Sequence, residues 1–204
     1  MGVKILARPA LKAKQLRAIP KAFNHVASYL RSQADKRIKN GVPPPNSPLT
    51  ARVKQGSNTL RDSGALMRSM ASHSGNLWAD CSTAAKQARI LQYGGTIKAK
   101  GKALYIPAGP ETRRLMKRYG AQSPGALIAA MRAEGYTFFY TPLTRVFCAV
   151  KKKGKPFALF VTRKSITIPA RPFLHIDPKD ERYIVHYLGA EISHALHPGK
   201  GGGS

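Results

Sequence analysis

The fold of this chain is decided first by the stretch DPKDERYIVHYLGAEISHA, residues 177–195. The stretch predicts a helix, because Asp177 can cap the first turn, Pro178 suits the first helical position, and acidic residues follow at the positive end of the helix dipole. Apolar side chains then recur at three- and four-residue steps. They form the stripe Ile184, Tyr187, Leu188, Ile192 and Ala195. We therefore expect the helix to pack one face against the rest of the fold.

Glu191 falls inside the same stripe, which is unusual for a carboxylate. A charged group that faces an apolar core is costly unless it is paired. Two interpretations stay open. Glu191 lies at the exposed margin of the stripe, or it makes a salt bridge to an arginine across a contact between subunits.

A second helix is predicted over residues 10–39. Its apolar positions again recur at helical spacing: Leu16, Ile19, Phe23, Val26, Leu30, Ala34 and Ile38. Pro20 interrupts this pattern, so we expect it to split the helix or to begin its second half. Asn40 and Gly41 end the helix, since either residue can adopt the left-handed cap conformation. The proline-rich residues 42–48 then predict an extended connector.

Short elements are predicted between this connector and the middle of the chain. Ser47 can cap a short helix over 48–54, and the apolar pair Leu66 and Met70 follows a turn. A strand is expected over 77–82 and a helix over 84–93, which Gly94 and Gly95 would stop.

The block from residue 96 to 165 is predicted to be rich in short strands. Ser123 and Pro124 form a good cap and first position for its one helix. The strands are expected where apolar runs stand between turn residues: 103–106, 137–140, 145–151, 156–161 and, just beyond the block, 166–168. The basic run 151–155 falls between two of these strands and therefore predicts the tip of a hairpin.

The combined pattern predicts an α+β fold, in which the long N-terminal helix and the C-terminal helix pack on a small mixed or antiparallel sheet. We expect a single domain over residues 1–197, with 98–165 as a β-rich block resembling an insertion. The glycine-rich residues 198–204 predict a flexible tail.

The composition shows a strong positive charge. The 204 residues carry 35 Lys and Arg against 9 Asp and Glu, a formal net charge of +26. Such a surface repels itself unless an anion lies near, so the candidate partners are nucleic acid, a membrane face or an acidic protein. Basic residues occur along the whole chain, including 12–21, 113–118 and 151–155. This distribution is typical of a folded basic protein that faces a polyanion.

Other features narrow the class of protein. No run approaches the roughly 18 apolar residues of a membrane-spanning helix, and the N-terminal apolar stretch is too short for a signal peptide. Cys81 and Cys148 are far apart in sequence. We therefore expect no membrane partner, no disulfide framework and a reducing compartment.

Motifs for catalysis, cofactors and metals are missing. No GxSxG elbow and no GxxxxGK[ST] phosphate loop occurs, and no close spacing pairs the carboxylates as acid and base. His194 and His197 could share a helix face, but two histidines without a nearby cysteine or carboxylate make a poor zinc site. We expect no enzyme, no cofactor and no metal. A basic enzyme whose active site has no recognisable motif is kept as an alternative, ranked after the structural and DNA-binding functions given below.

Three segments in a fixed order carry a family resemblance. They are PLTARVK with LRDSGALMRSM (48–54 and 60–70), ARILQYGGTI (88–97), and IPARPFL (168–174) ahead of the final helix. Together they resemble the virion morphogenesis, or tail-completion, proteins of tailed bacteriophages. The chain departs from the family pattern at Ser63, where threonine is commoner, and it has no tryptophan ahead of the PLT segment, where Pro44 and Pro45 stand.

The resemblance implies a structural virion protein of the tail or neck, assembled in the host cytoplasm. Such proteins form homo-oligomeric rings, here expected to be hexamers, that cap the tail tube and enable head–tail joining. The implied partners are the tail tube and sheath or neck and connector proteins, together with phage DNA in the channel. A positive lumen without base-specific contacts suits that role. The alternative is a stand-alone, sequence-nonspecific DNA-binding protein.

Two sets of residues are candidates for contacts. Lys151, Lys152, Lys153 and Lys155 are expected at the hairpin tip, where they contact DNA or an acidic partner, or simply discourage edge pairing. Arg171 stands between Pro169 and Pro172 at a strand rim. It braces the closing helix, meets a neighbouring subunit together with Glu191, or is solvated.

Overall fold

The computed structural model of the protein describes residues 2–6, 19–54, 56, 58–152 and 154–196. The predictions for residues 10–18, for Lys153 and for the tail 198–204 lie outside this part of the chain. The chain divides into two compact units. The first comprises Met1–Pro43, Thr59–Tyr93 and Ala170–Ser204, and the second comprises Pro44–Asn58 and Gly94–Pro169.

The first unit is built around helix α1, Pro20–Asn40. Pro20 occupies the start of the helix, where its missing N–H costs nothing, and Gly41 ends it at φ 79°. The helix packs on a three-stranded antiparallel sheet with strand order β1–β3–β2. Its strands are β1, Gly2–Leu6; β2, Met70–Ser74; and β3, Trp78–Thr83.

Three further helices complete this unit: α3, Ala65–Arg68; α4, Ala88–Tyr93; and α7, Pro178–Leu196. Helix α7 lies against α1. The core consists of apolar side chains from these helices and from the sheet, among them Phe23, Val26, Ile38, Leu66, Ala79, Phe173 and Ile184. The stripes predicted for the two long helices therefore meet in one core.

The second unit contains two antiparallel sheets. A two-stranded sheet pairs β4, Gly95–Lys98, with β9, Ser165–Ile168. A four-stranded sheet has the order β5–β8–β7–β6. Its strands are β5, Leu104–Pro107; β6, Tyr136–Thr141; β7, Val146–Lys151; and β8, Phe157–Arg163.

Helices of the second unit cover apolar residues of the larger sheet. They are α5, Pro110–Arg118, and α6, Pro124–Ala133, whereas α2, Pro48–Val53, contacts α5. The core holds Leu115, Leu127, Met131, Ala149, Leu159 and Phe160. The hydroxyl of Thr112, fully buried, donates to the Leu159 carbonyl at 2.7 Å and fixes α5 on β8.

The α+β class is confirmed, and every strand pairing among the described residues is antiparallel. The sheet is not one layer, however, but three small sheets. The N-terminal helix is confirmed from Pro20 onward, and the capped helices at 48 and 124 form with Ser47 and Ser123 accepting backbone N–H bonds. The single domain over 1–197 stays a prediction.

Several elements lacked a sequence signal. Strand β4 is exposed at all four positions, so it has no buried face to create alternation. Helix α5 has the sequence PETRRLMKR, which is mostly charged. The helix expected over 84–93 begins only at Ala88, because the Thr83 hydroxyl accepts the Ala85 N–H and forms a turn first.

Candidate functional site

The predicted hairpin tip is present in the second unit. Strand β7 pairs with β8, and the Gly154 N–H donates to the Lys151 carbonyl at 2.7 Å across the turn. Lys151, Lys152 and Lys155 are exposed. The Lys151 ammonium lies 5.4 Å from the centre of the ring of Tyr136, its partner on β6, a cation–π contact. The tip is thus a basic surface, and its contact with DNA or an acidic partner stays a prediction.

Arg171 is buried, whereas one interpretation of the sequence placed it in solvent at the end of a strand. It is only 5 % exposed, and its backbone N–H donates to the Leu91 carbonyl at 2.7 Å. Burial lowers the pKa of its guanidinium. The solvated interpretation is therefore wrong, because the side chain is covered by its own chain. A contact between Arg171 and a neighbouring subunit stays a prediction.

Gln92 joins two of the family-like segments and was missed by sequence reasoning. Its side chain is buried, and its Oε1 accepts the N–H groups of Phe173 and Leu174, both at 3.0 Å. Its Nε2 donates to the Leu174 carbonyl at 2.7 Å. One glutamine therefore satisfies three buried backbone groups. The signal was present as the glutamine of the QYGG segment, but only the tertiary structure identifies its partners.

Gly94 and Gly95 follow Gln92 and have φ angles of 71° and 151°. These positive angles favour glycine, as the sequence predicted for a chain that leaves a helix sharply. The chain then enters β4 directly. The QYGG segment thus ends α4, holds residues 173–174 through Gln92, and begins a strand that pairs with β9.

Glu191 lies on helix α7 with an exposed side chain. This agrees with the margin interpretation, because Ile184 and Leu188 of the same stripe are buried. Burial raises the pKa of the neighbouring Tyr187, and the negative charge of Glu191 adds to that effect. The described part of the chain provides Glu191 with no ion-pair partner. Its salt bridge to another subunit stays a prediction.

A polar network holds α7 to α1. From the sequence, its carboxylates Asp177 and Asp180 were explained only by their favourable position at the start of a helix. The Arg37 guanidinium lies 2.6 Å from Asp177 and 2.6 Å from Asp180, and it also donates to the His175 carbonyl at 3.1 Å. The Tyr29 hydroxyl donates to Asp180 at 2.9 Å. This network fixes the closing helix on the long helix.

The network shifts the ionisation of its members. The hydrogen bond from Arg37 lowers the pKa of Asp177. Burial, together with the hydrogen bond to Asp180, raises the pKa of Tyr29 to about 12. Since Asp180 is buried, its pairing with Arg37 offsets the cost of a charge in the core. These shifts belong to a structural ion-pair network.

The described residues show no cluster of three or more histidine, cysteine or acidic side chains that could hold a metal ion. Cys81 is buried, and burial raises the pKa of its thiol to about 11. An open depression beside α1 is lined by serine and basic side chains together with one carboxylate, Asp35. None of these features assembles a nucleophile, base and charge-stabilising group.

Positive charge is distributed unequally between the units. The second unit has 17 Lys and Arg against 2 Asp and Glu, whereas the first has 18 against 7. Glu111 of the second unit is already paired with Arg114 at 3.2 Å. The second unit therefore carries a positive field with little internal compensation.

A profile of the phage virion morphogenesis family matches residues 4–117. The chain belongs to this family. The matched range contains the segments 48–70 and 88–97, whereas 168–174 lies beyond it. Membership gives the protein a role in the assembly of phage particles. No curated protein and no solved structure matches the chain. None of the helices in the described part of this chain has both the length and the hydropathy of a membrane-spanning segment.

Proposed function

We propose that this virion morphogenesis protein is a non-enzymatic tail-completion, tail-terminator or neck protein of a tailed phage. Copies of the chain form a ring, expected to be a hexamer, that caps the tail tube and enables head–tail joining around the DNA channel. Its neighbours are the tail tube and sheath or the neck and connector proteins. The observation that carries the proposal is the unequal charge of the two units in a member of this family.

The charge supports a position around DNA for a physical reason. Duplex DNA in a channel presents a dense array of phosphates and no single sequence to be read. A protein surface with many cations and few carboxylates lowers the electrostatic cost of that passage without binding one site tightly. The exposed hairpin tip of Lys151, Lys152 and Lys155 is part of this surface.

The test is an assembly experiment. Tails made without this protein are mixed with DNA-filled heads, and infectious particles are counted after addition of the purified full chain. We expect joining only when the chain is added. Size-exclusion chromatography with light scattering should show a discrete ring. Normal joining in the absence of the chain would contradict the proposal.

The net charge also favours a second candidate function, a stand-alone DNA-binding protein without sequence preference. This function predicts a monomer whose DNA affinity falls steeply with salt and which tails do not need. The same two measurements separate the candidates.

A further inference from the structure

A second basic surface is formed where two strand pairs of the second unit meet. In the smaller sheet, Lys98 of β4 lies opposite Ser165 of β9. In the larger sheet, Leu104 of β5 lies opposite Arg163 of β8. The Ala99 N–H donates to the Lys164 carbonyl at 2.9 Å. The loop from β4 to β5 therefore runs beside the turn from β8 to β9.

This arrangement places two segments that are distant in sequence, 98–102 and 163–164, side by side, and their five basic side chains are all exposed. We call them the strand-junction cluster: Lys98, Lys100, Lys102, Arg163 and Lys164. Hydrogen-bonded strands lie about 5 Å apart, and Lys98 and Lys100 flank Ala99, whose N–H bonds to Lys164, so the charges of these residues lie close together. The cluster thus has a higher local charge density than either sequence segment shows by itself.

No carboxylate compensates the cluster. Residues 94–109 and 156–169 contain neither aspartate nor glutamate. Within the described chain, none of the five side chains makes an ion pair. The cluster therefore favours an anion supplied from outside the chain.

The chemistry of the cluster indicates which anion. Four of its five members are lysines, which bind phosphate as flexible point charges, whereas lysine is depleted in protein–protein interfaces. The loop carries only Ala99 and Gly101 between its lysines, so it offers no apolar anchor for a protein partner. A Cβ atom at Gly101 would meet nothing within 4 Å, which leaves the loop open to close approach.

We propose that the strand-junction cluster binds the phosphate backbone of duplex DNA without reading bases. The inference rests on the proposed function and assigns its DNA contact chiefly to these five residues rather than to the hairpin tip. The cluster has no asparagine or glutamine, the side chains that recognise adenine, and its lysines act as point charges that suit the phosphate backbone. The contact is therefore electrostatic and independent of sequence.

The test measures the salt dependence of DNA binding by the full chain. The probe is a short mixed-sequence DNA duplex, and the variant changes all five cluster residues to glutamine. Each phosphate contact adds about 0.9 to the slope of log affinity against log salt, so we expect the slope to fall by about 4. Circular dichroism and thermal unfolding check that the variant is folded.

A matched control removes the same charge from the first unit. It changes four exposed lysines and one exposed arginine to glutamine: Lys21, Lys36, Lys86, Lys179 and Arg182. We expect this control to change the slope by less than 1. A second control changes Lys151, Lys152 and Lys155 of the hairpin tip and should lose less slope per charge removed than the cluster variant.

Three results would overturn the inference: equal loss of slope in the cluster and first-unit variants, no DNA binding by the parent chain, or equally strong competition by polyglutamate of matched charge. The tail-joining experiment is independent of all three. Its success together with any of them would leave the assembly role in place and reject the cluster as the DNA contact.

Discussion

Gln92 shows how the family-like segments are tied together at the level of one residue. Its side-chain amide is buried. The amide oxygen accepts the N–H groups of residues 173 and 174, and the amide nitrogen donates to the carbonyl of residue 174. A glutamine is suited to this position because one planar group can accept two N–H bonds and donate one in return. The segments QYGG and IPARPFL are therefore coupled by hydrogen bonds.

We predict that Gln92→Ala lowers the free energy of unfolding by about 3 kcal/mol, because it leaves two N–H groups and one carbonyl buried without partners. Urea unfolding of the full chain, followed by circular dichroism, measures the change. Gln87→Ala is the control, since Gln87 is exposed and directly precedes α4, and it should change stability by under about 0.5 kcal/mol. Equal effects of the two substitutions would contradict the role of Gln92.

A second prediction concerns Arg37. Arg37→Met leaves the buried Asp180 without its cation and should lower the free energy of unfolding by about 3 kcal/mol at neutral pH. The control is Arg31→Met on the same helix, where the ion pair with Asp35 is 3.9 Å long and half-exposed. That change should cost under about 0.5 kcal/mol in urea unfolding.

The pH dependence gives an independent check of this network. Because Arg37 lowers the pKa of Asp177, the carboxyl holds its proton less tightly in the folded state than in the unfolded state. Its stabilising effect is therefore present above the unfolded pKa, about 3.9, and is lost as pH falls through the folded value. The loss of stability below about pH 4 should become shallower in Arg37→Met. An unchanged slope would argue against the pairing.

At the scale of elements, the short helix α3 depends on the glycine that precedes it. Gly64 is the cap residue of α3 and has φ 78°, a left-handed conformation that costs other residues energy. The Arg68 guanidinium folds back to donate to the Ser63 carbonyl at 2.9 Å. The turn in the LRDSGALMRSM segment is therefore set by backbone geometry.

We predict that Gly64→Ala lowers the free energy of unfolding by about 1 kcal/mol through backbone strain, and that the Arg68 guanidinium, which a Cβ would meet at 2.9 Å, moves aside. Gly125→Ala in α6 is the matched control, because a Cβ there meets nothing within 4 Å and its φ is not positive. The control should raise stability by about 0.5 kcal/mol. Thermal unfolding of both variants measures the difference, and strain at Gly64 is excluded if both shift in the same direction.

The helices and strands that the sequence predicted correctly are each set by residues that are close together along the chain. The helices at 48 and 124 begin at a serine followed by proline, and the strands of the larger sheet are apolar runs between turns. Strand β2 was missed because its sequence MASHS is short and mostly polar. Its place in the sheet comes from pairing with β3 across a short turn, in which the Gly75 N–H donates to the Trp78 carbonyl at 2.9 Å.

At the scale of the whole molecule, the proposed ring needs a surface that meets a neighbouring copy. Glu191 is exposed on α7 and has no ion-pair partner within the described residues. A carboxylate in this position can pair with an arginine of the next subunit and so help to set the contact.

We predict that Glu191→Gln lowers the oligomer mass measured by light scattering at low protein concentration, because it removes one charge of that pair at every contact. Glu181→Gln is the control, since Glu181 is also exposed but lies in the first turn of the same helix. An oligomer mass that is the same in both variants and the parent would end the cross-subunit hypothesis for Glu191.

The sequence by itself determined the features that depend on neighbours along the chain: helix caps, apolar stripes, hairpin turns, the net charge of +26 and the motifs of the family. Only the tertiary structure decided which distant groups meet. In the folded chain, Arg171 is buried and Gln92 bonds to residues 173–174. Arg37 forms an ion pair with Asp180, and Lys98 and Lys164 lie on one basic surface. The reason is physical, because hydrogen bonds, ion pairs and charge density depend on distance in space, which sequence spacing fixes only within a single helix or strand.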